Sequence, residues 1–136
     1  MKVEAIIKLL IKSKLNYFAY FLLSLISIFL GRFSTFRLME NNLWLQKQGK
    51  AFFCDYSPNY RLNAEKEESF SDEIFFHGYR PSAGDICIDI GAGLGLDTRL
   101  MSEHVGNEGK VFSIEATERT FKALEICIDQ NKLENV

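Results

Sequence analysis

The chain has 136 residues, about one small domain, and its 47% hydrophobic and 25% charged residues are ordinary for a globular protein. Its charge is uneven: residues 1–40 hold six Lys/Arg and two Asp/Glu, a net +4, whereas residues 41–136 hold ten and sixteen, a net −6. Because the acidic residues 41–136 carry no basic patch, nucleic-acid binding is not indicated. The basic and apolar N-terminal segment favours a contact with a membrane.

Residues 1–32 form a basic and apolar segment that is predicted to be helical. Val3 to Lys12 show one apolar face at helical spacing, and Leu15 to Leu30 are almost wholly apolar. Sixteen helical residues reach about 24 Å, short of the roughly 30 Å hydrocarbon core. Three states stay open: a membrane-inserted or membrane-surface helix over residues 3–31, a helix buried in the protein or an oligomer, and a signal peptide. The first is favoured.

Residues 33–77 are predicted to be a capping region over the following domain. Thr35 to Gln48 fit a helix, and Ala51 to Tyr56 fit a short strand that a Ser-Pro-Asn turn ends. Glu65 to Phe76 fit another helix, whose acidic run reads as a solvated face with no catalytic role.

Residues 78–136 begin with a strand that leads into a glycine-rich turn. Ile86 to Ile90 form a short apolar run that reads as a strand buried on both faces. Gly91-Ala92-Gly93-Leu94-Gly95 follows and gives the backbone freedom to turn sharply and to approach a ligand. Leu96 to Val105 fit a helix whose free N–H groups point back at the loop, and its Arg99 and Glu103 are expected to point outward. Strand, glycine turn and helix together predict a nucleotide-type binding site at the turn, here called the binding corner.

The spacing of the glycines restricts the kind of corner. A dinucleotide fingerprint needs a third glycine at position 96, which is Leu96, and a P-loop needs a lysine that is missing here. The next strand, Lys110 to Ile114, ends in Glu115, an acid placed to accept hydrogen bonds from both hydroxyls of a ribose. Thr117 can cap the helix that follows, and the strand–helix–strand–helix order requires parallel strands.

At these residues the chain resembles motif I of class I S-adenosylmethionine-dependent methyltransferases, and more closely the FkbM-type methyltransferase family. The resemblance covers about residues 78–136. The matching residues are Gly84-Asp85, Asp89-Ile90-Gly91-Ala92, Gly95, Thr98, Gly109-Lys110-Val111, Glu115, Phe121, Leu124, Asn131, Asn135 and Val136. The chain departs from the family at Gly93, where Asn is common, and at Ala116, which replaces a Pro.

The resemblance implies S-adenosyl-L-methionine as cofactor and O-methylation of a hydroxyl on a sugar or natural-product scaffold. In that family Glu115 would hold the ribose diol, while Asp89 would orient the loop or reach the cofactor's ammonium through water. Thr98 would cap its helix or contact the carboxylate end of the cofactor, and capping is favoured. The residues assigned to cofactor binding are Asp89, Gly91, Ala92, Gly93, Gly95, Thr98 and Glu115. No catalytic residue is assigned, and no metal-ligand cluster is expected.

The predicted fold is therefore α/β, an incomplete Rossmann-like parallel sheet behind an N-terminal, membrane-associating helical segment. The chain ends where a third strand is expected, so we expect the first half of a methyltransferase domain, truncated and inactive alone. Two alternatives stay open: an NAD- or nucleotide-binding oxidoreductase domain, and a non-catalytic membrane-associated interaction protein. Three cysteines without a disulfide pattern indicate a reducing compartment, so the predicted location is cytoplasmic, with membrane association through the N-terminal helix.

Overall fold

The computed structural model describes residues 3–39 and 42–136 of the chain. The chain divides into two compact units. The first unit is Met1–Lys50 with Asp55–Leu62, and the second is Ala51–Cys54 with Asn63–Val136.

The first unit packs two helices on a β-hairpin. Its elements are α1 (Val3–Lys12), α2 (Asn16–Phe29), β1 (Ser34–Leu38) and β2 (Trp44–Gln48). The two strands are antiparallel, with Ser34 opposite Gln48 and Leu38 opposite Trp44. The buried core of this unit consists of Ile7, Ala19, Leu23, Phe36 and Trp44.

The strands β1 and β2 occupy the stretch Thr35–Gln48, which was predicted to be a helix, so that prediction was wrong. Ser34 and Phe36 are buried while the residues after each of them are exposed, which is the period of two that a strand requires. Asn42 turns the chain in the left-handed region, with φ 58°, a conformation that Asn tolerates. The buried Gln46 side chain donates to the Ser34 hydroxyl at 2.9 Å, a hydrogen bond that joins the two strands.

The helices α1 and α2 are 10 and 14 residues long. Across residues 3–39 and 42–136, no helix combines the length and the apolar character that a bilayer crossing needs. Ala19 and Leu23 on one side of α2 are fully buried. The opposite side of α2 exposes large apolar side chains, among them Tyr17, Phe18, Phe21 and Phe29.

The second unit contains a parallel strand pair with helices on one side. It begins with the first four residues of β3 (Ala51–Asp55) and continues with α3 (Ala64–Ile74), β4 (Ile86–Ile90), α4 (Leu96–Val105), β5 (Lys110–Ile114) and α5 (Glu118–Asn131). β4 and β5 are parallel, with Ile86 opposite Lys110 and Ile90 opposite Ile114. The predicted α/β class and parallel pairing are confirmed.

The parallel pair is covered on one face only, so the prediction that β4 is buried on both faces was wrong. Val111 and Asp89 point to the covered face, where they are 0% and 8% exposed. Successive side chains of a strand point to opposite faces, and the alternate positions remain exposed. These exposed positions are Ile86 (72%), Ile88 (61%), Ile90 (80%), Phe112 (51%) and Ile114 (53%).

Arg99 on α4 was predicted to point outward, but it is 3% exposed. Its guanidinium lies 2.6 Å from Glu68 and 2.5 Å from Glu103, and its Cζ atom is 5.5 Å from the centre of the Phe53 ring. A buried arginine is tolerated when carboxylates and an aromatic face satisfy its charge. Glu103 lies one turn away on α4, whereas Glu68 and Phe53 come from other segments, which helical periodicity alone does not reveal.

The end of α5 is fastened by two asparagine side chains. Asn131 accepts from the Phe52 N–H and donates to the Phe52 carbonyl, both at 2.9 Å. Asn135 donates to the carbonyl oxygens of Ser102 and Gly106 at 3.0 and 2.8 Å, which ties the chain after α5 to the end of α4. Both residues belong to the set that carries the family resemblance, and here both have a structural role.

Candidate functional site

The glycine loop leaves β4 and crosses the end of β5. The backbone N–H groups of Gly91 and Ala92 both donate to the carbonyl oxygen of Ile114, at 2.8 and 3.1 Å. Ile114 is the last residue of β5 and the register partner of Ile90, so the loop extends the parallel pairing past the strands. The carboxyl ends of both strands therefore meet at one edge, which is where open α/β sheets bind ligands.

Gly95 is required by packing rather than by ligand approach. It lies at the N-cap of α4 with φ 87°, in the region that side chains disfavour. A Cβ atom at this position would lie 2.9 Å from Leu124 Cδ1 and 3.2 Å from Cys127 Sγ. The third glycine of the loop thus allows α4 and α5 to approach each other closely.

The other two glycines border open space. A Cβ atom on Gly91 would meet no heavy atom within 4 Å, and one on Gly93 would meet only the Gly91 carbonyl oxygen, at 3.8 Å. Their φ angles are 81° and 57°. Because their own packing does not exclude a side chain, the room beside these two residues is available to a ligand.

Glu115 lies against the glycine loop. Its Oε2 accepts from the Gly93 N–H at 3.1 Å, and its Oε1 accepts from the Thr117 N–H at 2.8 Å. The Thr117 N–H, and to a lesser extent the Gly93 N–H, lower the pKa of this carboxyl. The Thr117 hydroxyl and the Ala116 N–H lower this pKa as well, and desolvation opposes them. The tips of the two strands thus present an anionic acceptor beside bare main chain.

Asp89 is the buried carboxylate of the site. It is 8% exposed, and its Oδ2 accepts from the Thr98 hydroxyl at 2.5 Å. Burial raises the pKa of Asp89, the bond from Thr98 opposes that rise, and the charge of Asp97 adds to it. The side chain faces the covered side of the sheet under α4, so it supports the loop from below.

Thr98 does not cap α4, and that favoured prediction was wrong. The N-cap residue is Gly95, which has no side chain, and Thr98 lies one turn further on with 0% exposure. Its hydroxyl turns inward to Asp89 because the strand beneath offers a carboxylate. Thr117 occupies the N-cap of α5 as predicted, but its side chain makes no capping bond.

Two polar residues of this site were not identified from the sequence. Ser113 Oγ lies 3.1 Å from Thr98 Oγ1, and Ser113 is the register partner of Asp89. Strand alternation from Val111 carried that signal, since positions 111 and 113 share a face. Asp97, in the first turn of α4, has a buried Oδ1 atom without a hydrogen-bond partner within the described residues.

The structure therefore brings the predicted site residues together in two layers. Gly91, Ala92, Gly93 and Glu115 lie at the loop surface, Asp89 and Thr98 lie beneath it, and Gly95 joins the loop to α5. Among residues 3–39 and 42–136, no group of three or more His, Cys, Asp and Glu side chains is placed to hold a metal ion.

The chain is similar to two solved structures over part of its length. One is a SAM-dependent methyltransferase from Aquifex aeolicus, with TM-score 0.43 and 24% identity, covering 54% of this chain and 42% of that one. The other is fibrillarin from Aeropyrum pernix with natively bound S-adenosyl-L-methionine, with TM-score 0.39 and 13% identity, covering 71% of this chain and 52% of that one.

The chain thus spans about half, or less, of each structure that it matches. Both TM-scores lie below 0.5 and both identities lie below 25%. No protein-family model matches the chain, and neither does any curated protein sequence.

Proposed function

We propose that the second unit is the cofactor corner of a class I S-adenosylmethionine-dependent methyltransferase of the FkbM type, with an incomplete Rossmann-like sheet. The observation that supports this most strongly is the hydrogen bond from the Gly93 N–H to Glu115, because it joins the tips of both parallel strands. A glycine loop and an acid at neighbouring strand tips form the arrangement that binds an adenosine group.

The residues at the loop fit this cofactor by two independent features. The space beside Gly91 is open, so the adenosine and methionine parts can lie against the main chain without displacing a side chain. Hydrogen-bond donors around Glu115 lower its pKa, and an ionised carboxylate is a strong acceptor for two neighbouring hydroxyl groups.

Each residue has a separate role in holding the cofactor. When bound, S-adenosylmethionine supplies a methyl group on a positively charged sulfur, which a nucleophilic oxygen displaces in line. Glu115 accepts hydrogen bonds from the ribose diol, and Gly91 to Gly95 line the cofactor with main chain. Asp89, held by Thr98, fixes the loop from below and places a negative charge near the cofactor's cationic end. Positioning and exclusion of water are the main contributions of the protein.

The methyl acceptor follows from the resemblance alone: a hydroxyl on a glycan or a small natural product. The proposed location is cytoplasmic, with the exposed aromatic face of α2 as a contact to a membrane surface through residues 3–31. No residue of this chain is assigned to deprotonation of the acceptor.

Binding of S-adenosylhomocysteine, measured by thermal unfolding and calorimetry, tests the proposal. A ligand that binds only the folded chain stabilises it by about 2.7 kcal/mol at one hundred times its Kd. Glu115→Ala removes a charged acceptor of the ribose hydroxyls, so affinity should fall about 10- to 100-fold. NADH should give no shift, because Leu96 stands where a dinucleotide loop needs its third glycine.

The matched control is Glu118→Gln. Glu118 is an exposed acid in the first turn of α5 that pairs with Lys122 at 2.7 Å, so its loss changes the charge equally without touching the loop. Glu118→Gln should bind S-adenosylhomocysteine like the unchanged chain. Stabilisation by NADH but not by S-adenosylhomocysteine would overturn the proposal in favour of an oxidoreductase domain.

A further inference from the structure

Three polar side chains form a continuous line on the covered face of the parallel strands. Asp89 on β4 and Ser113 on β5 are register partners, and Thr98 on α4 lies over both. Thr98 Oγ1 is 2.5 Å from Asp89 Oδ2 and 3.1 Å from Ser113 Oγ. Thr98 is 0% exposed, so water cannot easily replace either partner.

The direction of these bonds follows from counting protons. An ionised carboxylate only accepts hydrogen bonds, so the single hydroxyl proton of Thr98 goes to Asp89. The Thr98 oxygen can then only accept from Ser113, whose own hydroxyl must be the donor. The line therefore runs in one direction, from Ser113 through Thr98 to Asp89.

The other groups around Asp89 either disfavour its ionised form or do not stabilise it. Burial raises its pKa, and the carboxylate of Asp97 on α4 raises it further. The nearby cation on α4, Arg99, is paired with glutamates. After β5, the Glu115 carboxylate faces backbone N–H groups, and on α5 the buried Cys127 thiol stays neutral below about pH 11. The hydroxyl line is thus the support that the ionised form of Asp89 receives.

We propose that Ser113 is a positioning residue of the cofactor site: by donating to Thr98 it directs the Thr98 proton to Asp89 Oδ2 and stabilises the ionised form of Asp89 beneath the glycine loop. This inference rests on the proposed function, since it names how the same site holds its second carboxylate. Cooperative strengthening along such a line makes Ser113 act on Asp89 without touching it.

The test removes the Ser113 hydroxyl and measures the titration of the Asp89 carboxyl group. In Ser113→Ala, we expect the carboxyl resonance of ¹³C-labelled Asp89 to titrate at higher pH than in the unchanged chain. We also expect S-adenosylhomocysteine affinity at neutral pH to fall about 2- to 10-fold, as for loss of one hydrogen bond. Ser113→Thr keeps the hydroxyl and should restore both readouts, whereas a role in packing alone would not be rescued in this way.

Ser102→Ala is the matched control. It removes a buried serine hydroxyl from α4 whose partner is Asn135 Oδ1, at 2.5 Å, and should leave the Asp89 titration unchanged. In the unchanged chain the Thr98 hydroxyl proton should exchange slowly with water and lie close to Asp89, a measurement that needs no variant. The proposed line from Ser113 through Thr98 to Asp89 would be refuted if Asp89 titrated at the same pH in Ser113→Ala, or if the Thr98 proton exchanged rapidly.

The two proposals fail differently. Loss of S-adenosylhomocysteine binding in every form, with the Asp89 titration still responding to Ser113→Ala, refutes the cofactor assignment and supports the hydroxyl line. Tight binding of S-adenosylhomocysteine, with Asp89 titrating at the same pH in Ser113→Ala as in the unchanged chain, supports the cofactor assignment and refutes the hydroxyl line.

Discussion

Replacing Gly95 by alanine tests how the glycine loop is built. Gly95 has φ 87°, and the left-handed region costs a non-glycine residue roughly 1–2 kcal/mol. The new Cβ would also lie 2.9 Å from Leu124 Cδ1 and 3.2 Å from Cys127 Sγ, and overpacking of this kind costs about 1–3 kcal/mol. The two effects together predict a loss of about 2–5 kcal/mol, a large share of the roughly 5–15 kcal/mol available to a domain.

Gly91→Ala is the matched control because it isolates the backbone effect. Gly91 has nearly the same φ, 81°, but its Cβ would meet nothing within 4 Å, so we expect a loss of only about 1–2 kcal/mol. Urea unfolding followed by circular dichroism gives both free energies of unfolding. In a double-mutant cycle, Leu124→Ala should relieve part of the Gly95→Ala loss, since it removes the atom that is approached most closely. Equal losses at Gly91 and Gly95, with no coupling to Leu124, would refute this reading of the loop.

The other predictions concern thiols, pH and the exposed sheet face. Iodoacetamide should label Cys87 before Cys54 and Cys127, because these two are 4% and 2% exposed while Cys87 is half-buried; burial raises the pKa of Cys87 and raises that of Cys127 to about 11, and mass spectrometry of labelled peptides checks the order. Glu115 has a lowered pKa, so its stabilising effect is present above the ordinary value of 4.5 and is lost as pH falls through the folded value; Glu115→Gln should flatten the loss of unfolding free energy in that range. Ile88→Thr should change the unfolding free energy by no more than about 0.5 kcal/mol, because Ile88 is 61% exposed, and a loss of 2 kcal/mol or more would show that the face is covered in solution.

The second unit was largely predictable from the sequence because its signals are local. Glycines after a short apolar run marked the end of β4, and the acid after Lys110–Ile114 marked the end of β5. The rule that parallel strands share an edge then brought Glu115 to the loop, and the structure places it 3.1 Å from the Gly93 N–H.

The predictions for Thr35–Gln48, Arg99 and Thr98 were wrong because partners from other segments determine their conformation. The hairpin of β1 and β2 is joined by cross-strand contacts such as Gln46 with Ser34, which the helical interpretation of Thr35–Gln48 did not anticipate. Arg99 turns inward because Glu68 lies far away in sequence but close in space. Thr98 turns inward for the same reason, since a carboxylate from β4 lies beneath it. In each case a long-range polar partner overrode the local expectation.

Mapping S-adenosylhomocysteine on the amide spectrum of the ¹⁵N-labelled chain tests the central claim most directly. The account predicts saturable shifts in the amides of Gly91, Gly93 and Glu115, with the Trp44 indole in the first unit unchanged. It also predicts that Glu115→Ala weakens these shifts, whereas Glu118→Gln does not. Saturating ligand that leaves the loop amides unmoved, or that moves only resonances of the first unit, would contradict it.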